Sequence, residues 1–191
     1  MYRFLRNSHL FLGLFCCFFL LMYGVSSVQM WHNGWFQTRP AVTTTEYTLS
    51  PNGADARAVA RELMDAHNLR GEVTQVRATA GSLAFSITRP GTVYQVEYAT
   101  ATGAARVRDN HAGFIGMLNR LHHVNGIRHD YWLINVWGAF VGIVSLFLFA
   151  LGGTGIYLWF KIHQERVIGG ILLFAGLGYG LTLLILLRTA W

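Results

Sequence analysis

Eight histidines in 191 residues are the side chains whose chemistry asks first for an explanation. Two imidazoles on packed helices can hold a b-type haem from both faces, the helices supplying the apolar slot. His9 and His163 fall at one end of the apolar segments set out below. His32, His122, His123 and His129 fall at the other. His9 with His163 is therefore one candidate axial pair and His32 with His122 a second, with His129 in reserve nearer the start of an apolar run. Gly13 and Gly169 lie near His9 and His163 and would let a porphyrin edge approach the backbone. Adjacent His122 and His123 point about 100° apart on a helix, so at most one serves a given inward site. The competing reading takes the same rings as interfacial anchors, polar at the tip and apolar in the body. His67, at a helix end against a small core, reads as structural.

Other chemistry is poorly supplied. Cys16 and Cys17 are adjacent in an apolar run, which suits neither a disulfide framework nor a spaced zinc site. Asp55, Glu62 and Asp65 read as a solvated helix face beside Arg57 and Arg61, not as an acid–base pair. Nucleophile elbows, phosphate loops and metalloprotease motifs are missing from the sequence, so no catalytic residue is assigned and no metal is expected beyond a haem iron.

The elements that must position these residues follow from composition. Hydrophobic residues make up 53% of the chain and charged residues 13%, with a mean hydropathy of +0.36. Soluble domains carry about 25% charged residues, so a purely soluble or disordered chain is excluded. The net charge of +6 is spread singly, without a basic stripe, and nucleic acid is not an expected partner. Residues 10–31 contain no charge and span about 33 Å as a helix, enough for a hydrocarbon core of about 30 Å. Residues 131–160 and 167–187 are two further spans. Arg3 and Arg6 with a small-residue Val25-Ser26-Ser27 step resemble a signal peptide. The apolar run continues, however, to an aromatic edge at Trp31, Trp35 and Phe36, which predicts a retained helix. Arg3, Arg6, Lys161 and Arg166 share one side if the chain crosses three times, and the positive-inside rule makes that side cytoplasmic. Residues 1–9, 161–166 and 188–191 are then the cytoplasmic N-terminus, the cytoplasmic loop and the external C-terminus.

Residues 37–110 read as a small external α+β domain. Ser50-Pro51 predicts a helix start, and Ala56, Val59, Ala60, Leu63 and His67 share its inner face. Leu83, Phe85 and Ile87 alternate with polar neighbours, as do Tyr94, Val96 and Tyr98 after the Arg89-Pro90-Gly91 turn. A short strand with Ala105 and Val107 and a weaker one near Val73–Thr79 complete a meander of three or four antiparallel strands. Residues 111–130 form an interfacial helix and connector. Gly138-x-x-x-Gly142 and Gly176-x-x-x-Gly180 offer small-residue faces for helix packing, within the chain or with a partner. The fold class is an α-helical membrane protein with three transmembrane helices and a small external α+β domain.

The helix-then-meander followed by Gly116-Met117-Leu118-Asn119-Arg120-Leu121-His122-His123 resembles the PepSY-associated transmembrane family, in which an Arg-Leu-His step leads into a membrane helix. Arg6-Asn7-Ser8-His9-Leu10-Phe11-Leu12-Gly13 is similar to that family's first-helix pattern. Gly152-Gly153-Thr154-Gly155-Ile156-Tyr157-Leu158-Trp159 is similar to its exit from the second membrane helix. Larger relatives have four or more membrane helices, and this chain has three. The resemblance implies a bacterial inner-membrane protein with a periplasmic PepSY-like domain. Some large members are ferric or siderophore reductases with b-type haems, and the family's external domain was proposed to inhibit peptidases. Two functions follow as expectations. One is an accessory or binding component, not itself an enzyme, that docks into or regulates other membrane-protein subunits within the lipid bilayer. The other is a haem b-binding electron-transfer or reductase-like protein. The three-span build favours the first, because a self-sufficient two-haem bundle usually draws its ligands from four helices.

Overall fold

In the computed structural model, residues 1–36, 39–50, 55–124, 126–162 and 165–189 are described. Three helices are long and apolar enough to cross a membrane: α1 (Tyr2–Trp31), α4 (Trp132–Lys161) and α5 (Arg166–Thr189). Between α1 and α4 come strand β1 (Ala41–Thr48), helix α2 (Ala56–His67) and strands β2 (Glu72–Thr79), β3 (Ser82–Arg89), β4 (Thr92–Ala99) and β5 (Ala104–His111). Helix α3 (Phe114–His122) follows. Helix α1 begins at Tyr2, ahead of the apolar run, because nothing between Arg3 and His9 breaks a helix and the charged turn extends it. The chain divides into two compact units, Met1–Phe18 with Val144–Trp191, and Phe19–Ile143.

In the second unit the five strands form one antiparallel sheet in the order β1-β5-β4-β3-β2. The alternation read in β3, β4 and β5 is the alternation found: Leu83, Phe85, Ile87, Tyr94, Val96, Tyr98, Ala105 and Val107 are all buried in one core. Ala56, Val59, Ala60 and Leu63 of α2 complete that core, the i, i+3, i+4, i+7 spacing of one helical face. The sheet has five strands, not three or four. Strand β1 escaped the sequence reading because it is an edge strand with only Tyr47 partly buried, so it shows no alternation of polarity. Its Val, Thr and Tyr content was the available sign.

The start of α2 also differs. Asp55, not Ser50, caps the helix, its carboxylate accepting the Arg57 backbone N–H at 2.9 Å. Ser50 instead donates its own backbone N–H to Glu62 at 2.9 Å, and Pro51 lies outside the described residues. Gly91 stands at φ +86° in the turn between β3 and β4, where a Cβ would come within 3.3 Å of Met117 in α3. Ala112, just before α3, donates its N–H to the Gly91 carbonyl at 2.7 Å. That turn thus seats α3, whose Leu118 is buried. Phe19 of α1 packs on Trp137 and Phe140 of α4 at ring separations of 5.3 and 4.8 Å. The Trp137 indole N–H donates to the Leu121 carbonyl of α3 at 3.3 Å.

Candidate functional site

His122 ends α3 against α1. The Ser26 hydroxyl, 1% exposed, donates its one proton to the Tyr23 carbonyl three residues back, at 3.0 Å. Its oxygen can then only accept from the imidazole, 2.8 Å from Nδ1. The pairing assigns the proton of His122 to Nδ1 and leaves Nε2 with a bare lone pair. The Tyr23 ring lies 4.3 Å away, centre to centre. Burial, and secondarily the neighbouring His123, push the pKa of His122 below its ordinary value, favouring the neutral ring.

His9, in the other compact unit, repeats the device. Thr154 of α4 donates its hydroxyl proton to the Ala150 carbonyl at 2.7 Å, with Leu151 at 3.2 Å. Its oxygen accepts from His9 Nδ1–H at 2.8 Å. Nε2 is again the bare nitrogen. A Cβ on Gly155 would sit 3.3 Å from His9 Cε1, so the glycine after Thr154 makes room for the ring. Hydroxyl side chains within apolar runs, Ser26 beside Ser27 and Thr154 between glycines, were the sign of both partners.

The remaining histidines are engaged differently. His163 lies outside the described residues. His32 stacks on Trp35 at 3.8 Å and meets Trp31 at 4.1 Å, an aromatic cluster at the end of α1. His129 faces Glu72 of β2 at 2.9 Å, and its backbone exchanges two 2.8 Å hydrogen bonds with the Asn135 side chain. It ties the connector to the sheet domain. His67 stacks on Tyr47 at 3.9 Å. His111 meets the Thr92 hydroxyl at 3.1 Å.

For a haem, two imidazoles must face each other across one iron. His32 is six residues beyond Ser26, so it lies about 9 Å farther along α1 and about 120° around it from the point where His122 docks. The described residues bring together neither that pair nor His129 with either ring. Among the described residues there is also no group of three His, Cys, Asp or Glu side chains placed to hold a metal ion. The partner expected for His9, His163, lies outside the described residues, so that pair is neither brought together nor kept apart here. What His9 and His122 share is an Nδ1 held by a hydroxyl and an Nε2 held by nothing described.

The glycine pairs divide. A Cβ at Gly138 would collide with the Gly126 carbonyl oxygen, so Gly138 admits the connector backbone. Gly142, Gly176 and Gly180 have nothing within 4 Å, and no described part of the chain packs on them. Gly169, expected to admit a porphyrin edge, instead admits a side chain: a Cβ there would run into the Trp159 indole. Trp159 donates its indole N–H to the Glu165 carbonyl at 3.0 Å, and Arg166 donates to the Phe160 carbonyl at 2.9 Å, closing the turn into α5.

The sequence also gave no weight to Gln29, which is 2% exposed although it stands in an apolar run. Its Oε1, Asn119 Oδ1 and Arg120 Nη1 are buried with no hydrogen-bond partner among the described residues. A lone amide in a membrane-length helix is costly unless paired, which was the sign available.

No curated protein and no solved structure matches this chain. A family of PepSY_TM-like proteins matches residues 1–190. That match covers all three long apolar helices and the sheet domain between the first two, and makes the chain a multi-pass membrane protein. The chain belongs to the PepSY_TM-like family.

Proposed function

We infer that the protein is an inner-membrane accessory component that presents its PepSY-like sheet domain to the periplasm and binds or regulates a partner membrane complex. The observation that carries this reading is α5. No described residue of that 24-residue helix is buried, and Gly176 and Gly180, one turn apart, face open space. A bare apolar helix with small residues on one stripe suits close approach by a partner's helix, where packing of backbones drives association in lipid. Orientation is supported by Arg3, Arg6, Lys161 and Arg166, all at one end after three crossings.

The test of the role is Gly176→Leu. Solubilised in mild detergent from the native membrane, the wild type runs in a complex larger than its own chain, and the variant shifts to smaller species while its sheet domain stays folded. Equal complex size for both removes the docking reading.

A second reading is favoured by the bare Nε2 atoms of His9 and His122, since metal-bound histidines commonly hold their other ring nitrogen in just such a hydrogen bond. On that reading the protein binds haem b, and the group would supply one-electron transfer. A reduced-minus-oxidised absorbance spectrum decides it. A haem band lost in His9→Ala and His163→Ala, and kept in His67→Ala, supports the reading; a colourless preparation ends it.

A further inference from the structure

We propose that Gln29, Asn119 and Arg120 bind the phosphate of an anionic phospholipid, the lipid's apolar part lying against the β3–β4 turn and the start of α4. The starting point is a polar cavity of about 300 Å³ inside the second compact unit. Gln29 and Met30 of α1, Pro40, and Gly116, Asn119 and Arg120 of α3 line it. The three polar side chains of this lining are three of the four described side chains that carry buried atoms without partners, the fourth being Asp109 on β5, outside this lining. Buried polar groups in folded proteins are nearly always satisfied, so three unsatisfied ones around a single cavity mark a missing ligand rather than three separate defects.

The ligand's charge follows from Arg120. Its guanidinium is positive at every accessible pH and presents a rigid fork of donors that matches an oxyanion. Among the described residues it has no ion pair, and no acidic residue lines the cavity. The amides of Gln29 and Asn119 can turn either oxygen or NH2 inward, because the two ends are nearly isosteric. Turned NH2-first, they join Arg120 as three separate donors. A tetrahedral phosphate presents oxygens in directions that three separate donors can meet, and the arginine fork matches two of them.

The ligand's amphiphilic nature follows from the neighbouring space. A second cavity of about 420 Å³ shares Asn119 and Arg120 and is otherwise lined mainly by Pro90, Val93, Val124 and Ile134. Arg89 stands at the same cavity and adds positive charge, with no acidic residue among the described lining. A polar cavity and an apolar one that meet at an arginine are shaped for a molecule with a phosphate at the junction and hydrocarbon beyond it. Gln29 is two residues from the end of α1, and Ile134 is the third residue of α4. On the membrane reading given above, on which this part rests, that is the depth of lipid headgroups.

The experiment uses the full chain, delipidated in dodecyl maltoside, and measures binding by native mass spectrometry and by thermal melting. Its probes are dioleoyl phosphatidylglycerol, dioleoylglycerol with the same chains and no phosphate, and inorganic phosphate. The expected result is saturable binding of phosphatidylglycerol with a raised melting midpoint, little effect of dioleoylglycerol, and weak competition by inorganic phosphate. Arg120→Gln weakens phosphatidylglycerol binding about tenfold or more, and Gln29→Leu weakens it severalfold, as expected for lost hydrogen bonds to a charged group. Arg108→Gln, on the exposed part of β5, leaves it unchanged. Should Arg120→Gln fail to fold, Gln29→Leu and the wild-type lipid comparison still decide. Equal binding of both lipids, wild-type affinity in Gln29→Leu, or equal loss in Arg108→Gln overturns the proposal. Tight binding of inorganic phosphate without phosphatidylglycerol overturns the lipid source. None of these outcomes depends on the size of the complex that tests the accessory role, so either reading can fail alone.

Discussion

His122 is where ring chemistry, burial and a helix partner meet. Its pKa is held below the ordinary 6.5 chiefly by burial and further by His123. The unfolded chain therefore binds more protons than the folded one between that lowered value and 6.5. Stability is fully present above 6.5 and declines as pH falls through the window. His122→Gln should flatten this decline, so between pH 7.5 and 5 the thermal midpoint of the wild type should fall further than that of the variant. Parallel curves would show that the ring titrates freely. Ser26→Ala tests the same contact from the other side. It leaves the Nδ1–H of a partly buried ring without its acceptor, at a cost of about 1–3 kcal/mol, read as a lowered melting midpoint in detergent. At this scale the histidines were legible as types, but their partners were not. Ser26, Thr154, Glu72 and Trp35 reach them across other elements or around a bend, and sequence spacing carries no record of such meetings.

Elements were more legible, because their periodicity is local. Leu63 recurs on the face that the helical spacing predicted, and it is 0% exposed. Leu63→Ala should cost about 2–5 kcal/mol through lost burial and the cavity left behind, measurable as a shift in urea-induced loss of the sheet's circular dichroism signal. Asp55→Ala should cost about 1 kcal/mol, because only the cap is lost. The glycines give a sharper contrast. Gly138→Leu must push the Gly126 backbone aside, whereas Gly142→Leu meets nothing. The first should lower the melting midpoint of the solubilised chain by several degrees, and the second should leave it near the wild type. A shared small-x-x-x-small spacing cannot separate the two, since it reports which residues share a face and not what faces them.

At the scale of the whole molecule, the described residues hold three helices of membrane-crossing length, and the orientation proposed above places the sheet domain outside. With Cys16 and Cys17 replaced by serine, Ser82→Cys should react in intact cells with a reagent that cannot cross the membrane. Glu165→Cys, in the turn between α4 and α5, should react only after the cells are opened. The reverse pattern would invert the topology while leaving the fold untouched. Membrane-crossing length is legible in sequence because it follows from apolar length and the scarcity of charge, quantities that need no neighbour.

The division between the two sources of information has a physical basis. Hydropathy, period and turn residues determined the three long helices, the α2 face and strands β3 to β5, because each depends on residues near one another in the chain. Strand β1 needed the tertiary structure: its faces are mostly exposed, and only antiparallel pairing with the distant β5, from Ala41 opposite His111 to Thr48 opposite Ala104, makes it a strand. The same holds for the site. Which hydroxyl orients His9 or His122, and the convergence of Gln29, Asn119 and Arg120 on one cavity, were decided by long-range packing. A hydrogen bond forms between whatever groups the fold leaves within reach.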